Sequence, residues 1–110
     1  MAKAKIYSQY SIEAARLLGA QIKLGRKQRK WTETELASRA SISRATLQKI
    51  EKGDMTCAIG SFFEVAILAR VPLFEVDKSI MNLQIERIND KIALLPKTIH
   101  KSSKAVDDDF

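Results

Sequence analysis

The chain has 110 residues, 19 Lys/Arg against 13 Asp/Glu, a net charge of +6 and 45% hydrophobic content. That suits one folded domain with appendages; no signal peptide stands out, and the longest apolar runs, such as residues 65–69, fall far short of the roughly 20 residues a membrane span needs. One cysteine, Cys57, excludes an internal disulfide and fits a reducing cytoplasm, one histidine and one cysteine make neither a zinc site nor a nucleophile–base pair, and glycines at 19, 25, 53 and 60 are too scattered to cradle a phosphate.

The charge is unevenly placed. Residues 1–52 carry 12 Lys/Arg against 4 Asp/Glu, and residues 53–110 carry 7 against 9. A basic half favours a polyanion partner, with a merely solubilising surface as the alternative.

Residues 1–10, with Lys3, Lys5, Ile6, Tyr7 and Tyr10, read as an N-terminal arm: a frayed end, or a short strand over residues 5–8. Ser11 is a candidate cap for a helix running to about Lys30, with Glu13 in its first turn. Ala15, Leu18 and Ile22 make its core stripe and Arg26 continues it. Lys23, Lys27, Arg29 and Lys30 are left as a basic rim, and Trp31 as an anchor at the helix join.

Residues 32–53 read as two short helices with a tight turn between them. Thr32 is an N-cap and Glu35, three residues on, completes a capping box. Leu36, Ala37 and Ala40 share one face, Ser41 marks the break, and Ile42 is an apolar plug in the turn. Ser43 caps the next helix, Leu47 and Ile50 are its buried stripe, and Gly53 stops it behind Lys49 and Lys52. Helices this short need a scaffold, which leaves the outward residues Arg44, Ala45, Gln48 and Lys49 free. Arg or Lys pairs with guanine and Gln with adenine in a major groove; an ordinary solvated helical hairpin is the other reading.

Residues 54–58 form a loop. Ile59, Phe62, Phe63, Ala66 and Ala69 then give a helix with an apolar face, closed at Val71 and Pro72. In residues 78–95, Met81, Ile85, Ile88, Ile92 and Leu95 are spaced 4, 3, 4, 3. That heptad spacing predicts a dimer seam shared with residues 59–76, or a helix folded back on its own domain. Pro96 ends it. Residues 97–110 read as a disordered tail ending in Asp107, Asp108, Asp109 and Phe110, either a short partner-binding motif or a solubilising end. No catalytic constellation stands out, and no metal or cofactor is expected.

Residues 18–76 resemble the lambda-repressor-like (Cro/C1, or Xre) helix-turn-helix family. The resemblance is carried by Leu18, Ile22, Arg26, Arg29, Trp31, Thr32, Glu35, Leu36, Ala37, Ile42, Ser43, Arg44, Thr46, Leu47, Ile50, Glu51, Gly53 and Asp54, in order. It implies an all-α protein: a five-helix domain over residues 11–77, closed by a short helix at residues 73–76, with an added C-terminal helix over residues 78–96. It implies a non-enzymatic cytoplasmic repressor, associated with the bacterial nucleoid, that binds double-stranded operator DNA as a homodimer. Arg44, Ala45 and Lys49 match the family's base-reading positions, with Gln48 beside them. Thr32, Ser43, Thr46, Lys30 and Lys52 would hold phosphates, and Arg26 would pair with Glu51 as a structural ion pair.

Two positions depart from the family. Gln is usual where Glu33 stands, and a carboxylate near phosphate must turn away, accept a bond from Arg29 or Arg44, or weaken binding. Gly is usual at the turn, where Ser41 stands at a modest conformational cost. A narrower resemblance joins Gly53 and Asp54, residues 58–61, Val65, residues 94–97 and the closing Asp-Asp-Asp-Phe. It is to HipB-like antitoxins, which implies repression of the chain's own operon and association with a HipA-type serine/threonine kinase toxin. A stand-alone repressor, or an adaptor that no longer binds DNA, are the alternatives.

Overall fold

The computed structural model describes residues 6–74 and 77–98. The described residues contain five α-helices and no strand: α1 (Gln9–Gln28), α2 (Glu33–Arg39), α3 (Arg44–Glu51), α4 (Ile59–Leu68) and α5 (Lys78–Ala93). The chain divides into two units, Met1–Leu73 and Phe74–Phe110.

Side-chain caps set most helix starts. Ser8, not Ser11, caps α1: its hydroxyl oxygen accepts from the Ser11 amide at 3.2 Å. Ser11 is therefore the residue being capped, and the helix begins at Gln9, earlier than the sequence suggested. At α2 the capping box is complete, since Thr32 Oγ1 accepts from the Glu35 amide at 3.1 Å and Glu35 Oε1 from the Thr32 amide at 2.9 Å. Ser43 Oγ accepts from the Thr46 amide at 3.0 Å and starts α3. Asp77 Oδ1 accepts from the Ser79 amide at 2.8 Å and starts α5. Ala58 precedes α4 with no side-chain cap bond.

The first four helices all stop by the same device. The residue after the C-cap turns to positive φ, and its amide and the next one bond back to carbonyls of the last turn. These residues are Lys30 (φ 60), Ser41 (φ 57), Gly53 (φ 83) and Arg70 (φ 60). The six-to-one bonds run from Trp31 to Arg26, Ile42 to Ala37, Asp54 to Lys49 and Val71 to Ala66, at 2.8–3.1 Å. Only one of the four is glycine, so three of these stops were invisible to a search for glycine. Arg70 also ends α4 before Pro72 is reached, which corrects the expectation that Val71 and Pro72 close the segment. Leu73 and Phe74 lie in a bend; the rest of the expected closing helix, residues 75–76, lies outside the described residues, as do the N-terminal residues 1–5 and the tail from residue 99 onward.

The core of the first unit draws on all four of its helices. Ile22, Leu36, Leu47, Ile50 and Val65 are fully buried, each stabilising by about 1.5–3 kcal/mol relative to exposure. Leu18, Trp31 and Ile42 pack on them from the side. α1 lies against α3, and α2 against α3 and α4. The α1–α3 approach is close: a Cβ on Gly19 would sit 2.5 Å from the Ile50 carbonyl oxygen. On α4 the core stripe is Phe62, Val65 and Ala66, continued by the C-cap Ala69. Ile59 and Phe63, expected on that face, lie on the outer side with Ile67, because the i, i+3, i+4, i+7 set that includes Val65 turns them outward.

In the second unit α5 buries none of its residues. Leu94 is its C-cap and Leu95 follows in a bend.

Candidate nucleic-acid interface

The pair α2–α3 is joined by the turn at Ala40, Ser41, Ile42 and Ser43. Ser41 adopts the left-handed backbone that Gly would adopt more cheaply, and Ile42 tucks against the core. This fixes α3 with Leu47 and Ile50 inward. Its free face presents Arg44, Ala45 and Lys49, all exposed, and Gln48, half-buried.

The half-burial of Gln48 has a specific cause. Glu33, at the start of α2, aims its carboxylate across the turn. Its Oε1 accepts from Arg44 Nε at 3.0 Å and from Gln48 Nε2 at 3.2 Å. The bond from Gln48 and then that from Arg44 hold the Glu33 carboxyl below the usual carboxylate range, so it is ionised at neutral pH. Of the partners anticipated for Glu33, Arg44 is the one found; Gln48 was missed. Residues 44 and 48 are i, i+4 neighbours on one helix face, so a group that reaches one can reach the other, but the sequence does not show that Glu33 is that group.

Arg29 sits elsewhere than expected. Its guanidinium lies over the Trp31 ring at 5.0 Å from the centroid, and Arg39 lies over the same ring at 4.4 Å. The Arg29 Nε is buried without a hydrogen-bond partner. Arg29 is thus partly withdrawn from the basic rim, whereas Lys23, Lys27 and Lys30 are exposed. Lys23, Arg26, Lys27, Thr32, Glu33, Thr34 and Arg44 line one open depression. Thr34 was not singled out from the sequence.

The other anticipated phosphate groups lie nearby in the chain. Ser43 Oγ donates to Thr46 Oγ1 at 2.9 Å, leaving the Thr46 hydroxyl proton available. Thr32 is exposed beside its cap bonds, and Lys52 is the exposed C-cap of α3.

Behind this face, Arg26 is buried with a two-point contact to Glu51: Nε–Oε2 at 2.7 Å and Nη2–Oε1 at 3.1 Å. Its Nη1 donates to the Trp31 carbonyl at 3.0 Å. The bond to Glu51 raises the Arg26 pKa against the opposing effect of burial. The pair ties α1 to the last residue of α3 and faces away from solvent. Among the described residues there is no His/Cys/Asp/Glu group able to hold a metal ion, and no helix is long and apolar enough to cross a membrane.

Comparison with known proteins agrees with this geometry. Residues 22–73 match the family described as helix-turn-helix. That stretch, 52 of the chain's 110 residues, is similar to a family of the DNA-binding regulator type. Two solved structures are similar to it, one described as "MDT Protein" and one as "Structure of HipA-HipB-O2-O3 complex". Each matches with 28% identity and a TM-score of 0.50, over 69% of this chain and 99% of the other. No curated protein matches the chain.

Proposed function

We propose that the chain is a sequence-specific repressor that binds operator DNA as a homodimer, and that it is the autoregulating antitoxin of a HipA-type serine/threonine kinase. The observation that carries the DNA reading is the division of α3. Leu47 and Ile50 are fully buried while Arg44, Ala45 and Lys49 are exposed on the opposite side. A helix seated this firmly presents a fixed set of side chains to a major groove. Arg44, Lys49 and Gln48 supply hydrogen bonds to base edges, and the Ala45 methyl meets a thymine methyl. Thr32, Ser43, Thr46, Lys30 and Lys52 take the flanking phosphates, positioning the helix without reading sequence.

Dimerisation is supported by apolar side chains that a single chain leaves in water. On α5, Ile85, Ile88 and Ile92 are each more than half exposed; Met81 and Leu95 extend the seam. On α4, Ile59 and Ile67 are exposed. Two such surfaces on a small chain mark association sites. The antitoxin reading rests on the likeness to a chain of a HipA–HipB–O2–O3 complex. The adaptor alternative loses ground because the charge of Glu33, its main support, is met by Arg44 and Gln48. The proposed place of action is the bacterial cytoplasm, at the nucleoid.

Co-expression with the HipA-type kinase of the same operon, followed by affinity purification of this chain and light scattering, tests the assembly. The expected result is a stoichiometric complex built on a dimer of this chain. A dimer that binds DNA without retaining the kinase would leave a stand-alone repressor; a monomer would overturn the seam.

A further inference from the structure

The contact of one carboxylate oxygen with both Arg44 and Gln48 reaches beyond bracing a helix. A glutamine amide has two N–H donors and one carbonyl acceptor, and at most positions either end of the amide is free to turn toward a base. Here the Gln48 nitrogen is committed: Nε2 donates to Glu33 Oε1 at 3.2 Å. A carboxylate only accepts, so the reversed amide, which would place two oxygens together, is excluded. One N–H and the carbonyl oxygen remain for DNA. That donor–acceptor pair matches adenine, whose N7 accepts and whose N6 donates. It does not match guanine, whose N7 and O6 both accept.

Arg44 is restricted in the same way. Its Nε is bound to the same oxygen at 3.0 Å, so the side-on fork made by Nε and Nη2 is used up. The end-on fork of Nη1 and Nη2 stays open, and two parallel donors are what guanine O6 and N7 accept. The Arg44 side chain is 63% exposed, against 27% for Glu33, so the fork is accessible while its anchor is sheltered. Arg44 and Gln48 are four residues apart, a rise of about 6 Å along the helix. Base pairs repeat every ~3.4 Å, so the two bases read lie one or two steps apart.

We infer that Glu33 is a specificity-determining residue that touches no base: by fixing Gln48 and Arg44 it sets adenine for the first and guanine for the second. This rests on the DNA-binding reading above. Glu33 is a positioning residue, and its effect is expected in base preference, not in the strength of binding as such.

The test is selection from a randomised duplex library, with binding of the enriched sites measured for the full chain and for Glu33→Ala, Glu33→Gln and Gln48→Ala. The unaltered chain should enrich half-sites with a guanine and an adenine one or two steps apart. Replacing that adenine by guanine should weaken its binding about tenfold. Glu33→Ala should bind random-sequence DNA at least as well as the unaltered chain, because a negative charge near phosphate has gone, yet lose most of that preference. Glu33→Gln keeps a carbonyl acceptor and should fall between the two. Adding Gln48→Ala to Glu33→Ala should cost no further discrimination at the adenine. An undiminished adenine preference in Glu33→Ala, with its helical melting unchanged, would overturn the inference and leave the DNA-binding reading intact. No enrichment by the unaltered chain would overturn both.

Discussion

Arg26 and Glu51 meet in a two-point ion pair with side chains only 8% and 5% exposed, and the pair joins the last turn of α1 to the last residue of α3. The spare Arg26 nitrogen is used on the Trp31 carbonyl, so the same guanidinium also holds the link into α2. The orientation of α3 thus depends on one buried cation.

Removing either member strands a buried charge. Arg26→Ala or Glu51→Ala should destabilise the fold by about 3–5 kcal/mol, measured by urea denaturation. The double change Arg26→Met with Glu51→Leu should recover much of that, since neither charge is then buried alone. Recovery should stop short, because the Trp31 carbonyl loses its donor. A fully additive double variant would show that the two groups do not act as a pair.

Three helix stops carry a side chain where glycine is cheaper. Ser41→Gly should raise stability by about 0.5–1 kcal/mol, the relieved left-handed strain exceeding the added freedom of the unfolded chain. The midpoint of thermal or urea unfolding reports it. A loss of stability would mean that the Ser41 side chain contributes a contact outweighing the strain.

Stability should fall on the acid side through the caps. The Glu35 carboxyl is held below its ordinary value near 4.5, chiefly by the bond from the Thr32 amide. A depressed carboxyl contributes stability that is complete above its unfolded pKa and is lost as the pH falls through the folded one. Glu33 and Asp54 shift the same way, Asp54 through bonds from Thr56. The urea midpoint should therefore be level from pH 7 to about 5 and drop below pH 4. Glu35→Gln should show a shallower drop; an identical acid limb would remove the capping box as its cause.

The apolar stripe of α5 should be covered in solution. Ile88→Asp should convert the chain to monomers by light scattering and abolish operator binding, while leaving the melting of the first unit in place. A dimer that survives the substitution would move the interface away from this helix.

Much of the fold was legible because its signals are local. The capping box of Thr32 and Glu35, the Ser43 cap and the Leu47–Ile50 stripe each need only three or four residues of context, and each is found. What escaped needed contacts between elements or competition between equals. Ser8 and Ser11 are both good caps, and only the helix path chooses between them. Lys30 and Arg70 as helix stops follow from packing of the residues after them, not from their own type. Arg29 looked like surface charge until Trp31 drew it in. At the candidate interface the residue types of α3 were readable, but the link from Glu33 to Gln48 spans 15 residues and a turn, so it had to come from the structure.

The central claim, that the outward face of α3 binds a specific DNA sequence, is tested most directly by a gel shift with the DNA upstream of the chain's own gene. The measurement belongs at two salt concentrations, with scrambled DNA as control. The account predicts a selective shift that weakens steeply with salt, as counterions displaced from several phosphates require. A shift of equal strength on scrambled DNA, or none on either, would contradict it.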